Sequence, residues 1–235
     1  MFEWKPDMIR FMRTACEYGS YNRELAEIMM PFLDENSHIC DAGCGLGYLS
    51  LELAKEAGKV TAVDVSRDAL SVLQENCDRQ GIHNIQILCG DVLSLRFEEK
   101  FTAMVFCYFG NLDGILECYD RLCSGPVFIF MRNYETHRFS EGKYQKVDDG
   151  FSDACTHLKK LGIPFRSLHL ENEFGQPFRN LEEARRFYDL YSLDKERVPD
   201  VIVQERLVET GREDYPLYLP HRKKTGCIIL NSVAE

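Results

Sequence analysis

Residues 38–54, HICDAGCGLGYLSLELA, leave this chain few ways to fold. A short apolar run ends on Asp41. Three glycines follow at alternate positions, Gly43, Gly45 and Gly47. Beyond them Leu49, Leu51, Leu53 and Ala54 stand among small and acidic residues. This order predicts a strand, a tight turn and a helix. Glycine lacks a Cβ, so such a turn can take φ > 0 and let a ligand approach the backbone. A helix starting just after it offers N–H groups to an acidic or polar ligand. A dinucleotide-binding turn has the spacing G-x-G-x-x-G. From Gly43 that spacing needs a small residue at position 48, where Tyr48 stands. Taken alone, the loop is also compatible with a purely structural turn.

Two further acids close apolar runs. Residues 59–65 (KVTAVDV) read as a second strand, with Asp64 near its end. A carboxylate there has two oxygens with which to accept from both hydroxyls of a ribose. Its alternative use is to cap the next helix, although Ser66 is available for that. The helix, from about Arg67 to Gln80, carries Ala69, Leu70, Leu73 and Cys77 and stops at Gly81. A third strand, Ile85 to Cys89, leads to Gly90, Asp91 and Val92. Read locally, Asp91 makes an Asx turn.

The run Asp41-Ala42-Gly43-Cys44-Gly45-Leu46-Gly47 resembles D/E-x-G-x-G-x-G, the first motif of the class I S-adenosylmethionine-dependent methyltransferases. The acids after three successive strands follow that family's order and, approximately, its spacing. The resemblance spans residues 38–131 and is weak outside them. It implies an α/β fold, a doubly wound seven-stranded mostly parallel sheet of Rossmann-like type. The strand order would be 3-2-1-4-5-7-6, with the last strand antiparallel and helices at the N-terminus. It implies S-adenosylmethionine as cofactor and S-adenosylhomocysteine as product. Carried over residue by residue, it assigns cofactor contacts to Asp41, Ala42, Gly43, Cys44, Gly45 and Gly47. It also assigns Asp64 and Val65 after the second strand, with Asp64 on the ribose. Asp91 falls at the adenine amino group, Val92 against the ring, and Cys107 and Tyr108 at the end of the fourth strand.

That fourth strand is read as Phe101 to Phe109; many family members begin it with an acid, where Thr102 stands. It ends in Cys107-Tyr108-Phe109-Gly110-Asn111 and lacks the N/D-P-P-Y/F motif, which disfavours methylation of nucleic-acid bases. Tyr108 is either a residue of the transfer site or a core aromatic. A helix at 112–122 and a fifth strand, Val127 to Met131, follow. The polar and aromatic stretch 132–150 reads as a loop containing His137, a candidate base or an ordinary surface histidine. A helix at 151–161 and a sixth strand, Phe165 to Leu170, come next. Asn180 caps a helix over 181–191, and Pro199 starts another that reaches about Thr210. The basic cluster from His221 to Lys224 is either a site that attracts an anionic substrate or, as the preferred reading, a solvated turn, before a last strand from Gly226 to Val233.

Residues 4–33 predict two helices broken at Gly19 and Ser20, with Tyr18 and Tyr21 flanking the break. These tyrosines suit packing at a helix junction. In related small-molecule methyltransferases such a segment covers the cofactor and substrate, which makes Tyr18 and Tyr21 candidate substrate residues. The expected organisation is one domain over 1–235. It divides into a helical cover (1–33), a cofactor-binding core (34–171), a helical insertion (172–225) and the last strand (226–235).

Composition narrows the partners. At 45% apolar and 28% charged residues the chain suits a globular domain. No apolar run approaches the roughly 20 residues that span a bilayer, so no membrane partner is expected. A net charge of −10 opposes non-specific binding to nucleic acid. The ten cysteines are scattered without a C-x-x-C pair and the six histidines are unclustered, so no metal is expected. Buried, reduced cysteine and the lack of a leader-like N-terminus point to a cytoplasmic protein. The expected function is methyl transfer to a small-molecule acceptor. Alternatives are a protein or RNA methyltransferase on the same core, or a non-catalytic protein binding S-adenosylmethionine or a nucleoside. The donor is intrinsically activated, so the chain's tasks are alignment, exclusion of water and, for some acceptors, removal of a proton.

Overall fold

Period-two burial along the strands sets the layers of this protein. In the fourth strand Ala103 and Val105 face one side of the sheet, and Met104 and Phe106 the other. The fifth and last strands divide in the same way. Phe128, Phe130, Cys227 and Ile229 pack on one face, and Val127, Ile129, Ile228 and Leu230 on the opposite face. A strand apolar on both faces must be covered twice, which demands helices on both sides of the sheet. The structure is a computed structural model and describes residues 4–134, 150–192 and 197–230; His137 lies outside them.

The chain begins with α1 (Pro6–Tyr18) and α2 (Tyr21–Met29), then alternates strand and helix. The elements are β1 (His38–Ala42), α3 (Tyr48–Leu53), β2 (Lys59–Asp64), α4 (Arg67–Gln80), β3 (Ile85–Cys89), β4 (Ala103–Cys107), α5 (Leu112–Leu122), β5 (Val127–Arg132) and α6 (Phe151–Leu161). Beyond them lie β6 (Phe165–Glu173), β7 (Gln176–Phe178), α7 (Leu181–Tyr191), α8 (Asp200–Glu205), β8 (Val208–Glu209), β9 (Leu217–Leu219) and β10 (Arg222–Leu230). The large sheet has seven strands in the order β3-β2-β1-β4-β5-β10-β6. Strands β1 to β5 pair in parallel, and β10 is antiparallel to both β5 and β6. Since β10 is the seventh strand of this sheet, the order is the expected 3-2-1-4-5-7-6. The order reverses at β1 and β4, so a crevice opens beyond their carboxyl ends, where ligands bind in open α/β sheets.

Local chemistry explains the boundaries. Ser66 caps α4, its Oγ accepting from the Ala69 N–H at 3.2 Å, and Gly81 ends the helix with φ +65°. Asn111 and Asn180 cap α5 and α7 in the same manner. Three stretches differ from expectation. First, β10 begins at Arg222, not Gly226. Arg222, Lys223 and Lys224 lie opposite Glu173, Asn172 and Glu171 of β6, so the basic cluster is paired strand and not a solvated turn. Second, β4 is shorter than expected, because Tyr108 takes φ +55° and leaves the strand. Third, the region expected as a helical insertion also contains a three-stranded antiparallel sheet, β7-β9-β8, and α8 ends at Glu205.

This region has its own core of Phe178, Ala184, Phe187, Tyr188, Val203 and Leu219, and α1 supplies Phe11 to it. The Phe11 ring meets Phe178 edge-on at 6.2 Å and Phe187 at 5.0 Å. Phe11 is 1% exposed, and truncating such a side chain typically costs about 3–5 kcal/mol. Phe11→Ala should therefore lose about that much stability in urea unfolding; a loss below about 1 kcal/mol would mean that α1 is not anchored through this ring.

Candidate active site

The glycine loop is shaped by its own hydrogen bonds. Gly43, Gly45 and Gly47 have φ of +69°, +54° and +73°, where side chains are strained. The Gly43 and Cys44 N–H groups both donate to the Val63 carbonyl, at 2.8 and 3.0 Å, and the Gly47 N–H donates to the Cys44 carbonyl at 2.9 Å. The Gly45 N–H donates to Asp64 Oδ2 at 2.9 Å. These four amides are thus used to hold the loop, and the helix that follows is a short one of six residues. Space supplies a second requirement for glycine. A Cβ at Gly43 would come within 2.1 Å of the Phe109 ring, and one at Gly47 within 2.4 Å of Leu73.

The two acids beside the loop differ in environment. Asp64 is half-buried, and its Oδ1 accepts from the Ser66 N–H at 2.8 Å. Together with the Gly45 bond, this occupies two of the roughly four acceptor sites of a carboxylate. Asp41 is 1% exposed and accepts from Ser50 Oγ at 2.5 Å. Burial pushes its carboxyl up to about 6; the Ser50 bond opposes this and the charge of Asp64 adds to it.

At the end of β4 the site is aromatic. Tyr108 is the one non-glycine residue with positive φ among the described residues. Its N–H donates to the Phe130 carbonyl at 2.8 Å, and its hydroxyl lies 2.6 Å from Thr225 Oγ1. These contacts hold a conformation that costs of order 1–3 kcal/mol. The Tyr21 hydroxyl completes a cluster, 3.2 Å from Thr225 Oγ1 and 3.4 Å from the Tyr108 hydroxyl. Burial raises both phenols above their usual range, so they remain protonated. Burial likewise pushes the neighbouring Cys16 and Cys107 thiols up to about 12. Above the cluster, Lys223 Nζ lies 3.7 Å from the Tyr108 ring centroid, 4.8 Å from that of Tyr21 and 5.0 Å from that of Phe174. Such distances are within cation–π range.

The loop and the aromatic end line one cavity of about 450 Å³, a size suited to a small ligand. Helix α1 closes one side. Trp4 lies over Gly45, where an added Cβ would meet its ring at 3.2 Å, and Met12 and Cys16 also line the cavity. Glu17 fastens this helix to the loop. Its carboxylate accepts from the Tyr48 hydroxyl at 3.0 Å, Arg79 Nη2 at 3.0 Å and Arg13 Nε at 3.3 Å. Desolvation would raise the Glu17 pKa, but these partners outweigh it and hold the carboxyl below its usual range.

The cavity brings together Asp41, Gly43, Cys44, Gly45, Gly47, Asp64, Val65, Cys107, Tyr108 and Tyr21 from the residues singled out in the sequence. Four others are not among its lining residues. Ala42 and Val92 are buried in the core between the sheet and α5. Asp91 is exposed, and its carboxylate accepts from the Leu93 N–H at 3.1 Å and the Ser94 hydroxyl at 3.3 Å, as an Asx turn does. Tyr18 stacks on Tyr218 at 5.2 Å and lies under Arg212, so it packs against the insertion. Sequence reasoning did not single out Trp4, Phe109, Phe174 or Thr225, and considered Lys223 only as part of the basic cluster. Lys223 and Thr225 share one face once β10 is read from Arg222.

Residues 39–122 match the family described as a methyltransferase domain. A malonyl-[acyl-carrier protein] O-methyltransferase of Bacillus cereus is 26% identical over 233 residues, covering 92% of this chain and 78% of that protein. A carboxy-S-adenosyl-L-methionine synthase of Shewanella woodyi is 30% identical over 213 residues, covering 86% of this chain and 77% of that one. Among solved structures, precorrin 8w decarboxylase of Methanobacterium thermoautotrophicum shares the fold with a TM-score of 0.54 at 18% identity, over 87% of both chains. The chain belongs to the class I S-adenosylmethionine-dependent methyltransferase superfamily, and its cofactor is accordingly S-adenosylmethionine, with S-adenosylhomocysteine as product. Among the described residues no helix is long and apolar enough to cross a membrane.

The buried Asp41 gives stability a distinct pH dependence. Its carboxyl sits near 6 in the folded chain against an ordinary 3.8. Between these values the folded state keeps a proton that the unfolded state gives up, so stability falls as pH rises through the window. Asp41→Asn keeps an acceptor for Ser50 but cannot ionise. In urea unfolding at about pH 4.5 and about pH 7.5, the variant should gain about 2 kcal/mol on wild type at the higher pH relative to the lower. Parallel pH profiles for the two proteins would contradict the assignment.

Proposed function

We propose that the chain transfers a methyl group from S-adenosylmethionine to a small-molecule acceptor inside this cavity. One observation carries the reading. The glycine loop with its two carboxylates and Tyr21 and Tyr108 line the same cavity, which on this reading serves both donor and acceptor. The cofactor supplies a methyl already activated by a positively charged sulfur. The chain must then orient two ligands and exclude water.

The residues present fit the cofactor. Three glycines at positive φ leave alternate positions of the loop without side chains, and Asp64 retains acceptor capacity beyond its two backbone bonds. On this reading Asp64 binds the ribose hydroxyls, and Asp41 places a negative charge beside the amino-acid and sulfonium end. Val65, exposed at the carboxyl end of β2, flanks the base, with Asp91 at the outer edge. Trp4 together with helix α1, held by the Glu17 contacts, serves as the cover, and the region after β6 supplies Phe174 and Lys223 to the acceptor side. Tyr21 belongs to the acceptor wall, while Tyr18 supports the insertion.

Support for a small acceptor comes from the scale of the cavity and from the acidic charge of the chain, which disfavours a nucleic-acid partner. The Bacillus cereus relative is named for O-methylation, which is the same class of reaction. Calorimetry tests the reading. S-adenosylhomocysteine should bind and NAD should not. Asp64→Ala should weaken S-adenosylhomocysteine by about 1.5–3 kcal/mol, or roughly 10–150-fold. Binding of NAD in preference, or unchanged affinity in the variant, would overturn it.

A further inference from the structure

Helix α3 follows the glycine loop, and Ser50 is buried in it among Leu49, Leu51 and Leu53. An apolar side chain at such a place would leave no polar atom to satisfy. The Ser50 hydroxyl does not turn back on its own helix, as helical serines can. It reaches across the loop to β1 and donates to Asp41 Oδ2 at 2.5 Å. The other oxygen of this carboxylate, Oδ1, accepts no bond from the described residues. It is nevertheless not fully enclosed by protein. Asp41 lines the cavity, so Oδ1 opens there. A buried carboxylate with one oxygen unsatisfied is costly unless a donor arrives from outside the chain. The charged side chain that acts on Asp41 is Asp64, which has the same sign. The site therefore calls for a donor that is also a cation.

We propose that Ser50 is the positioning residue of this carboxylate: its hydroxyl fixes Oδ2, turns Oδ1 to the cavity and so ties binding of the cofactor's α-ammonium to the charge of Asp41. The inference rests on the methyltransferase reading of the same cavity. A bond from an ammonium to a carboxylate is charge-assisted and among the stronger ones; it is lost when the carboxyl takes up a proton. In the folded chain the Asp41 carboxyl sits at about 6, because burial raises it while Ser50 holds it down. Binding of a cation is therefore fully favoured above that value and weakens as pH falls through it. The other groups around Asp41 do not share this titration. The thiols of Cys40 in β1, Cys44 in the loop and Cys107 in β4 feel its charge, and burial raises all three. Cys16 of α1, Tyr21 of α2, Tyr48 of α3 and Tyr108 after β4 line the same cavity and are likewise held protonated by burial. The cationic side chain on the cavity wall is Lys223, whose charge acts on Cys16 and Cys107. Deleting the Ser50 hydroxyl removes the bond that favours ionised Asp41, so the pH window of binding moves upward.

The test is calorimetry on the full chain between about pH 5 and about pH 7, where an α-amino group keeps its proton. S-adenosylhomocysteine carries the ammonium; 5′-methylthioadenosine shares the nucleoside and lacks it. Wild-type affinity for S-adenosylhomocysteine should fall about tenfold from the upper to the lower pH, while that for methylthioadenosine stays level. In Ser50→Ala the fall should begin about one pH unit higher. In Ser50→Thr, which keeps the hydroxyl, it should begin where it does in wild type, and Asp41→Asn should remove it. If Ser50→Ala does not fold, Ser50→Cys, of similar size and a weak donor, takes its place with the same expected shift. Parallel profiles for the two ligands in wild type overturn the inference. So does a Ser50→Ala profile with an unshifted midpoint, including one lowered by the same factor at every pH, as a merely structural role would give. If S-adenosylhomocysteine binds equally well at every pH, only this inference fails. If neither ligand binds at any pH, the methyltransferase reading fails and this inference with it.

Discussion

The carboxylate of Asp64 ties the glycine loop to the sheet. One oxygen accepts from the Gly45 N–H and the other from the Ser66 N–H, so one side chain joins the turn after β1 to the turn after β2. The parallel pairing of β1 with β2, with Ala42 beside Val63, brings those turns together. The Val63 carbonyl adds bonds from Gly43 and Cys44. The loop is thus preorganised by the chain itself, at positive φ values that only glycine takes readily. Preorganisation of this kind lowers the ordering cost of binding.

The second end of the cavity depends on the last strand. Because β10 returns antiparallel between β5 and β6, it delivers Lys223 and Thr225 to the carboxyl end of β4, where Tyr108 leaves the strand. Tyr21 reaches the same point from the start of α2. Three segments remote in sequence therefore meet through hydroxyl contacts, and the bond between Tyr108 and Thr225 is the shortest of them at 2.6 Å. Motion of α1 would open this cavity, and the bonds of Glu17 to Tyr48 and Arg79 resist it.

The glycine-loop end of the candidate site was legible in the sequence because its determinants are local. Asp41, the alternate glycines and Asp64 stand at the ends of apolar runs, and strand order then places them together. At the other end of the cavity Tyr21 and Tyr108 were legible as candidates, and the rest was not, for the opposite reason. Lys223 lies in a run of four basic residues whose charge hides the alternation of a strand, and the β6 residues that face the run, Glu173, Asn172 and Glu171, lie about fifty residues away. Phe109 and Trp4 act by covering glycines, which is a contact that periodicity does not reveal. Asp91 and Tyr18 suited functional positions in the linear order, and the structure places Asp91 in a local turn and Tyr18 against Tyr218, both outside the cavity lining. In the insertion the helix over 181–191 was readable from its Asn180 cap and apolar face, whereas β7, β8 and β9 are too short to carry a period.

The most direct measurement is a crystal structure of the chain with S-adenosylhomocysteine. The account predicts ribose hydroxyls at about 3 Å from the Asp64 carboxylate, the homocysteine portion along the Gly43–Gly47 loop beside Asp41, and the sulfur turned toward Tyr108. The Gly45 and Ser66 bonds of Asp64 should remain in place. A ligand seated away from the glycine loop, or one whose ribose makes no contact with Asp64, would contradict it.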